Sequence, residues 1–216
     1  MVSLLPEKFL FILEIIGTIA FAASGAIIGL SKRMDIFGVT VLGIVTSVGG
    51  GVIRDIILGH TPPATFQNPI YAIVAILVSV IIFIPGMRRF LSKNHGIYEK
   101  TMLFMDSLGL GIFTAVGIET ACLSGHKNIF LLIFVGMITG IGGGVLRDVL
   151  AGNTPFIFVK HFYASASLIG AVVFILLWEF FGQSAAIIGC SFVVTTLRLF
   201  AAKYRWKLPR PKEDFE

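Results

Sequence analysis

The chain has 216 residues, of which 56% are hydrophobic and 13% charged, and its formal net charge is +5. A soluble domain carries roughly a quarter of its residues as charges, so most of this sequence cannot face water and a soluble globular class is excluded. The positive surplus would suit a nucleic acid, but the basic residues follow membrane topology instead, and no nucleic-acid partner is expected.

Seven apolar segments follow one another at about the length of a bilayer span: roughly 9–30, 36–58, 69–87, 101–123, 128–151, 162–181 and 184–203. Glu14 interrupts the first run, which continues too far for a cleaved signal peptide. The connections are short and carry turn residues, as in Thr61-Pro62-Pro63, Ser124-Gly125-His126 and Gly182-Gln183-Ser184. Lys and Arg crowd onto one side of the bundle, from Lys32 and Arg33 through Arg88 and Arg89 to the C-terminal Lys212, whereas only Lys8 and Lys127 fall on the other. This bias predicts an outside N-terminus and a cytoplasmic C-terminus.

Residues 46–62 read TSVGGGVIRDIILGHTP and residues 139–155 read TGIGGGVLRDVLAGNTP, identical at ten of 17 positions. Upstream, with a one-residue shift, Glu14 aligns with Asp106, Gly17 with Gly109, Phe21 with Phe113 and Gly25 with Gly117. Each copy holds three spans, an odd number, so the second enters the membrane from the opposite face. The predicted fold is an all-α polytopic membrane protein of seven transmembrane helices. It divides into a first three-helix repeat over 1–92, an inverted second repeat over 93–182, and a seventh span with a basic tail over 183–216.

The triplets Gly49-Gly50-Gly51 and Gly142-Gly143-Gly144 lie about 20 Å along spans 2 and 5, near the midplane. Three consecutive glycines weaken a helix on every side, and a break there is expected to expose carbonyls to a solute. The alternative is close helix packing, the role assigned to Gly25-x-x-x-Gly29 and Gly136-x-x-x-Gly140. Arg54-Asp55 and Arg147-Asp148 follow each triplet, and intramembrane charges point to function. Neighbours in a helix do not face each other, so the expected ion pairs are Glu14–Arg54 and Asp106–Arg147, leaving Asp55 and Asp148 to face a pathway. The alternative has these charges reaching to headgroups. Thr46 and Thr139 either line the pathway or bond back to their own helices. His60, His95, His126 and His161 stand singly and Cys122 and Cys190 lie in apolar runs, so neither a metal nor a disulfide is expected. Trp178, Tyr204 and Trp206 suit an interfacial belt.

The duplicated GGGVIRD/GGGVLRD element with its following Gly-x-Thr-Pro resembles the prokaryotic relatives of the trimeric intracellular cation (TRIC) channels, a group that also carries a glycine-transporter-type domain twice. The resemblance covers roughly 9–203. It implies a homotrimer in the bacterial inner membrane, a pore within each subunit, potassium-like monovalent cations as the favoured substrate, and a constriction at the glycine-broken spans 2 and 5. The extra basic motif of the animal members is absent. Two functions stay open at this point: a cation channel, and a carrier that holds the carboxylate of a small amino acid such as glycine on an arginine or a half-helix end. An enzyme is not expected, because no nucleophile–base pair or metal cluster is spaced for catalysis. No cofactor is expected either.

Overall fold

The structure, a computed structural model, describes residues 4–92, 95–159 and 162–206. Its described regular elements are all helical: α1 (Leu4–Ser31), α2 (Ile36–Ile57), α3 (Ala64–Gln67), α4 (Ile70–Phe83), α5 (Pro85–Ser92), α6 (His95–Leu123), α7 (Ile129–Leu150), α8 (Phe156–Val159), α9 (Ala164–Phe181) and α10 (Gln183–Lys203). Six of these, α1, α2, α6, α7, α9 and α10, are long and apolar enough to cross a membrane. The segment expected as a single span over 69–87 is instead the 14-residue α4 followed by α5. Pro85 is the cause: it holds Ile84 extended (φ −54°, ψ 136°), because the ring of a proline clashes with a helical residue before it. At about 1.5 Å per residue α4 reaches roughly 21 Å, short of the hydrocarbon thickness.

Local chemistry repeats between the halves. Asp35 caps α2 by accepting from Gly38 N at 2.7 Å, and Asn128 caps α7 by accepting from Leu131 N at 3.1 Å. Both helices end in the same glycine stop. Gly59 (φ 75°) and Gly152 (φ 66°) turn left-handed, and His60 N and Asn153 N each reach back 2.8 Å to the carbonyls of Asp55 and Asp148.

The centre of the bundle is a crossing of α2 over α7. A β-carbon at Gly50 would collide with the Thr139 carbonyl oxygen, and one at Gly143 with the Thr46 carbonyl oxygen. That reciprocal pairing makes the two helices antiparallel. α1 and α6 flank them, also antiparallel, with Gly17 against Ile112 and Phe113 and the Phe21 and Phe113 rings 5.3 Å apart. Residues that match in the sequence repeat therefore meet one another at the centre. Core side chains from α1, α6, α7, α9 and α10 fill the space around them. Large apolar side chains point outward, Phe37 at 74% and Phe130 at 79% exposure among them. Trp178 stacks on Phe174 and Trp206 sits edge-on to Phe162, so these belt residues also pack.

The expected glycine breaks are absent. α2 runs without interruption through Gly49–Gly51, and α7 through Gly142–Gly144. Backbone approaches backbone at the crossing, and a helix holds its own amide groups satisfied there, so close packing is what the glycines supply. Inserting a methyl at Gly50 or Gly143 must push the helices apart. G50A and G143A are each expected to cost about 2 kcal/mol by overpacking, lowering the thermal midpoint of the detergent-solubilised protein. At Gly51 an added methyl meets only the Arg54 guanidinium at 3.8 Å, so G51A should leave the midpoint near that of the wild type.

Candidate functional site

Two clusters of buried charge flank the crossing, one toward each end of the bundle. The first lies toward the basic end, where α1 and α2 meet at Lys32 and Arg33. Asp106 of α6, Arg147 and Asp148 of α7 are fully buried, and Arg198 of α10 is 2% exposed. Arg147 Nη1 donates to Asp106 Oδ1 at 2.6 Å and to Ser24 Oγ at 2.5 Å, and Arg147 Nε donates to Asp148 Oδ1 at 2.9 Å. Arg198 Nη2 approaches Asp106 Oδ2 at 3.4 Å. Tyr163 Oη lies 3.5 Å from Asp106 Oδ1, and the Phe156 ring underlies the Arg147 guanidinium at 4.9 Å. The expected Asp106–Arg147 pair is present.

The second cluster lies at the other end and reuses the same residue types. Arg54 Nε and Nη2 both donate to Asp55 Oδ1 at 2.8 Å. Here the expectation fails: Glu14 does not pair with Arg54 but accepts from Tyr71 Oη at 2.5 Å. The tyrosine hydroxyl takes the carboxylate and Asp55 takes the arginine, so Glu14 and Arg54 act on each other only at longer range. Tyr71 and Tyr163 thus face Glu14 and Asp106, the two acids that align in the repeat, the first at 2.5 Å and the second at 3.5 Å.

Asp55 and Asp148 are not spare carboxylates facing a route. Each takes its neighbouring arginine on one oxygen and a backbone amide on the other: Ala64 N at 2.8 Å for Asp55, Phe156 N at 2.9 Å for Asp148. Those amides open α3 and α8, the short helices after each Gly-x-Thr-Pro. The rule that adjacent helical residues do not face each other is evaded because a long arginine curls along the axis while its aspartate leans over the helix end. Thr46 and Thr139 bond back to the carbonyls of Leu42 at 2.5 Å and Val135 at 2.6 Å, which takes their hydroxyl protons. The positions expected along the pathway therefore fall into two sets. Gly49, Gly50, Gly142 and Gly143 form the crossing, while Gly51 faces Arg54 and Gly144 faces Tyr163 Oη and, further off, Arg147. A methyl at Gly144 would sit 3.7 Å from both Arg147 Nη2 and Asp106 Oδ1.

Sequence reasoning missed Ser24, Tyr71, Tyr163 and Arg198. Extending the repeat with the same one-residue shift brings Tyr71 opposite Tyr163; Arg198 stands outside the repeat and has no internal echo. A further buried acid, Glu119, is joined to Gln183 by a hydrogen bond, and its Oε2 has no partner among the described residues.

Breaking a buried pair outright typically costs about 3–5 kcal/mol; here Asp148 stays on Arg147 and Arg198 stays near Asp106, so the loss is smaller. A double-mutant cycle of D106N with R147M is expected to show coupling of about 2 kcal/mol in the unfolding free energy. The cycle of E14Q with R54M should show clearly smaller coupling, because Arg54 bonds Asp55 and Glu14 accepts from Tyr71. Equal coupling in both cycles would contradict the arrangement described.

A family model described as a glycine transporter matches the chain twice, over residues 11–85 and 103–179. The UPF0126 inner membrane protein YadS of Escherichia coli (strain K12) is 36% identical over 203 residues, covering 92% of this chain and 93% of that one. A UPF0126 membrane protein of Deinococcus radiodurans is 38% identical over 199 residues, covering 91% and 89%. Among solved structures, a prokaryotic TRIC channel crystallised in 0.5 M KCl superposes with a TM-score of 0.85 at 30% identity over 94% of this chain and all of that one. A structure from work on conductance through TRIC cation channels gives 0.81 at 36% identity over 95% and 98%. The Rhodobacter sphaeroides orthologue of the TRIC trimeric intracellular cation channel gives 0.81 at 31% identity, covering 92% and 100%. The chain is a multi-pass inner-membrane protein that belongs to the UPF0126 glycine-transporter-domain family and has the fold of the prokaryotic TRIC channels.

Proposed function

We propose that this protein is a monovalent-cation channel of the potassium type, a homotrimer whose subunits each contain a pathway. Two buried carboxylate clusters, one on either side of the glycine crossing, carry this reading. The likeness to structures of TRIC cation channels over 95% of the chain supports it. In this reading the N-terminus is outside and the C-terminus cytoplasmic. Residues 1–92 and 93–182 form inverted halves, residues 183–216 add the last span and tail, and α4 with α5 serves as the third of seven spans. Lipid covers the outward apolar faces.

The route passes the crossing at Gly49, Gly50, Gly51, Gly142, Gly143 and Gly144, with Thr46 and Thr139 one turn away. Because α2 and α7 touch through their backbones, the crossing is a closed constriction, and conduction requires them to separate. A cation then exchanges hydration for carbonyl and hydroxyl oxygens. Glu14 and Asp106 supply the field: Asp55 and Asp148 are each held by an arginine and a backbone amide, whereas Glu14 accepts from Tyr71 and Asp106 Oδ2 is met by Arg198 at a long 3.4 Å.

The carrier reading draws on one observation: the halves differ, with arginine on the acid in one and apart from it in the other, an asymmetry that suits alternating access. Purified protein in planar bilayers and liposomes separates the two. Unitary potassium currents without glycine accumulation are expected; saturable, ion-coupled glycine uptake with no unitary currents would overturn the channel reading.

A further inference from the structure

The cluster at the basic end contains one charge that the repeat does not explain. Asp106, Asp148 and Arg147 have counterparts in Glu14, Asp55 and Arg54; Arg198 comes from α10, which has none. Its hold on the cluster is loose. The 3.4 Å approach to Asp106 Oδ2 is long, where charge-assisted nitrogen–oxygen bonds typically close to about 2.7–2.9 Å. Its Nε is buried and has no hydrogen-bond partner among the described residues. Beyond this contact the guanidinium rests on the Tyr163 ring, 4.6 Å from its centre.

Arg198 also lines a cavity of about 650 Å³ that opens at the basic end, walled by Tyr98, Met102, Phe156 and Trp206. A water molecule takes about 30 Å³ in the liquid, so the cavity has room for a guanidinium and several waters. Lys100 and Arg205 stand on the same wall, with Glu99 beside them. Among the described lining residues three cations stand against one acid, and they oppose the entry of another cation while Arg198 stays in place. At the opposite end Glu14 accepts from Tyr71 and has no such arginine on it. Asp106 is thus the acid that carries an added, tethered cation.

We propose that Asp106 Oδ2 is the inner binding position of the permeant monovalent cation, and that Arg198 occupies it as a tethered substitute which withdraws into the adjoining cavity when the pathway opens. Asp106 Oδ1 stays with Arg147, so the acid is held in position while its other oxygen changes partner. The Asp106 carboxylate offers the hard oxygen donor that alkali cations take, with the Tyr163 hydroxyl 3.5 Å from its Oδ1. This assignment rests on the cation-channel reading, and its test separates the two.

Potassium currents through wild type, R198Q, R198K and D106N/R198Q in planar bilayers give the first arm. Removing one unit charge from a partly buried site is expected to raise the mean current of R198Q by about tenfold. R198K should remain near wild type, and D106N/R198Q should lose the gain. A conducting wild type with R198Q at or below its current overturns the Arg198 assignment and leaves the channel reading standing. A wild type that passes no potassium sinks the channel reading. The second arm needs no conduction. In a C122S/C190S/R198C chain, a cationic methanethiosulfonate reagent should react more slowly in potassium than in an equal ionic strength of a large organic cation. D106N should abolish that difference. A rate that is the same in both salts overturns the site, whatever the currents do.

Discussion

The backbone contact between α2 and α7 is the constraint on which the molecule turns. In lipid, helices gain little from hydrophobic burial against each other, and association rests on close packing and polar links. Gly50 and Gly143 let each helix lay its surface on the other's carbonyl, Thr139 and Thr46 respectively, at an intrinsic cost of up to about 1 kcal/mol per glycine. The same contact explains the threonines. A side chain pressed against a neighbouring backbone has little room to reach outward, so its hydroxyl turns to the carbonyl one turn back. Gly25 and Gly117 continue the theme, each meeting one of these threonines across α1–α2 and α6–α7. The crossing also sets the depth of the charges, because Arg54 and Arg147 follow their triplets by three residues.

Burying Arg147 at zero exposure is expensive unless the charge is matched. The protein matches it locally and then remotely. Asp148, next in sequence, neutralises it and takes the Phe156 amide, so the pair also anchors the chain where it leaves the helix. Asp106 then brings a second carboxylate from α6, and Arg198 balances that one. The first half stops at the local step: Arg54 with Asp55, Asp55 with Ala64 N. Its remaining acid, Glu14, is satisfied by a neutral tyrosine. One sequence motif therefore carries two different electrostatic arrangements, and the difference traces to α10.

Much of this was legible in the residues. Six of the seven expected spans appear as helices of spanning length whose ends lie within six residues of those expected, and the Asp106–Arg147 pair followed from topology alone. What failed did so for physical reasons. Helix propensity argued for a break at each glycine triplet, but propensity is a weak prior beside tertiary contact, and the signal for a crossing lies in which glycine meets which carbonyl. The reading of Asp55 and Asp148 as spare carboxylates overlooked the need of α3 and α8 for an acceptor at their first amide. The third segment was read through Pro85, where α4 stops. Arg198 was visible as a charge near a span end, yet nothing in the sequence brings α10 beside α6.

The unpaired helix is where the symmetry of the repeat is broken, and the proposed control of passage follows from that break. Two equal halves facing opposite ways would present the same barrier to a cation from either side. α10 packs along α6 and adds one arginine to one end only, placing it between Asp106 and the cavity beside Trp206. A cation approaching from that end meets Lys100 and Arg205 with Glu99 beside them, and then Arg198, before it reaches Asp106. One approaching from the other end finds Glu14, held by Tyr71 with no second arginine on it. Since Asp106 must keep Arg147 satisfied to preserve the fold, only its outer oxygen is free to exchange partners. Under the proposed assignment, passage is controlled by Arg198 on the unrepeated helix, outside the duplicated motif that forms the crossing.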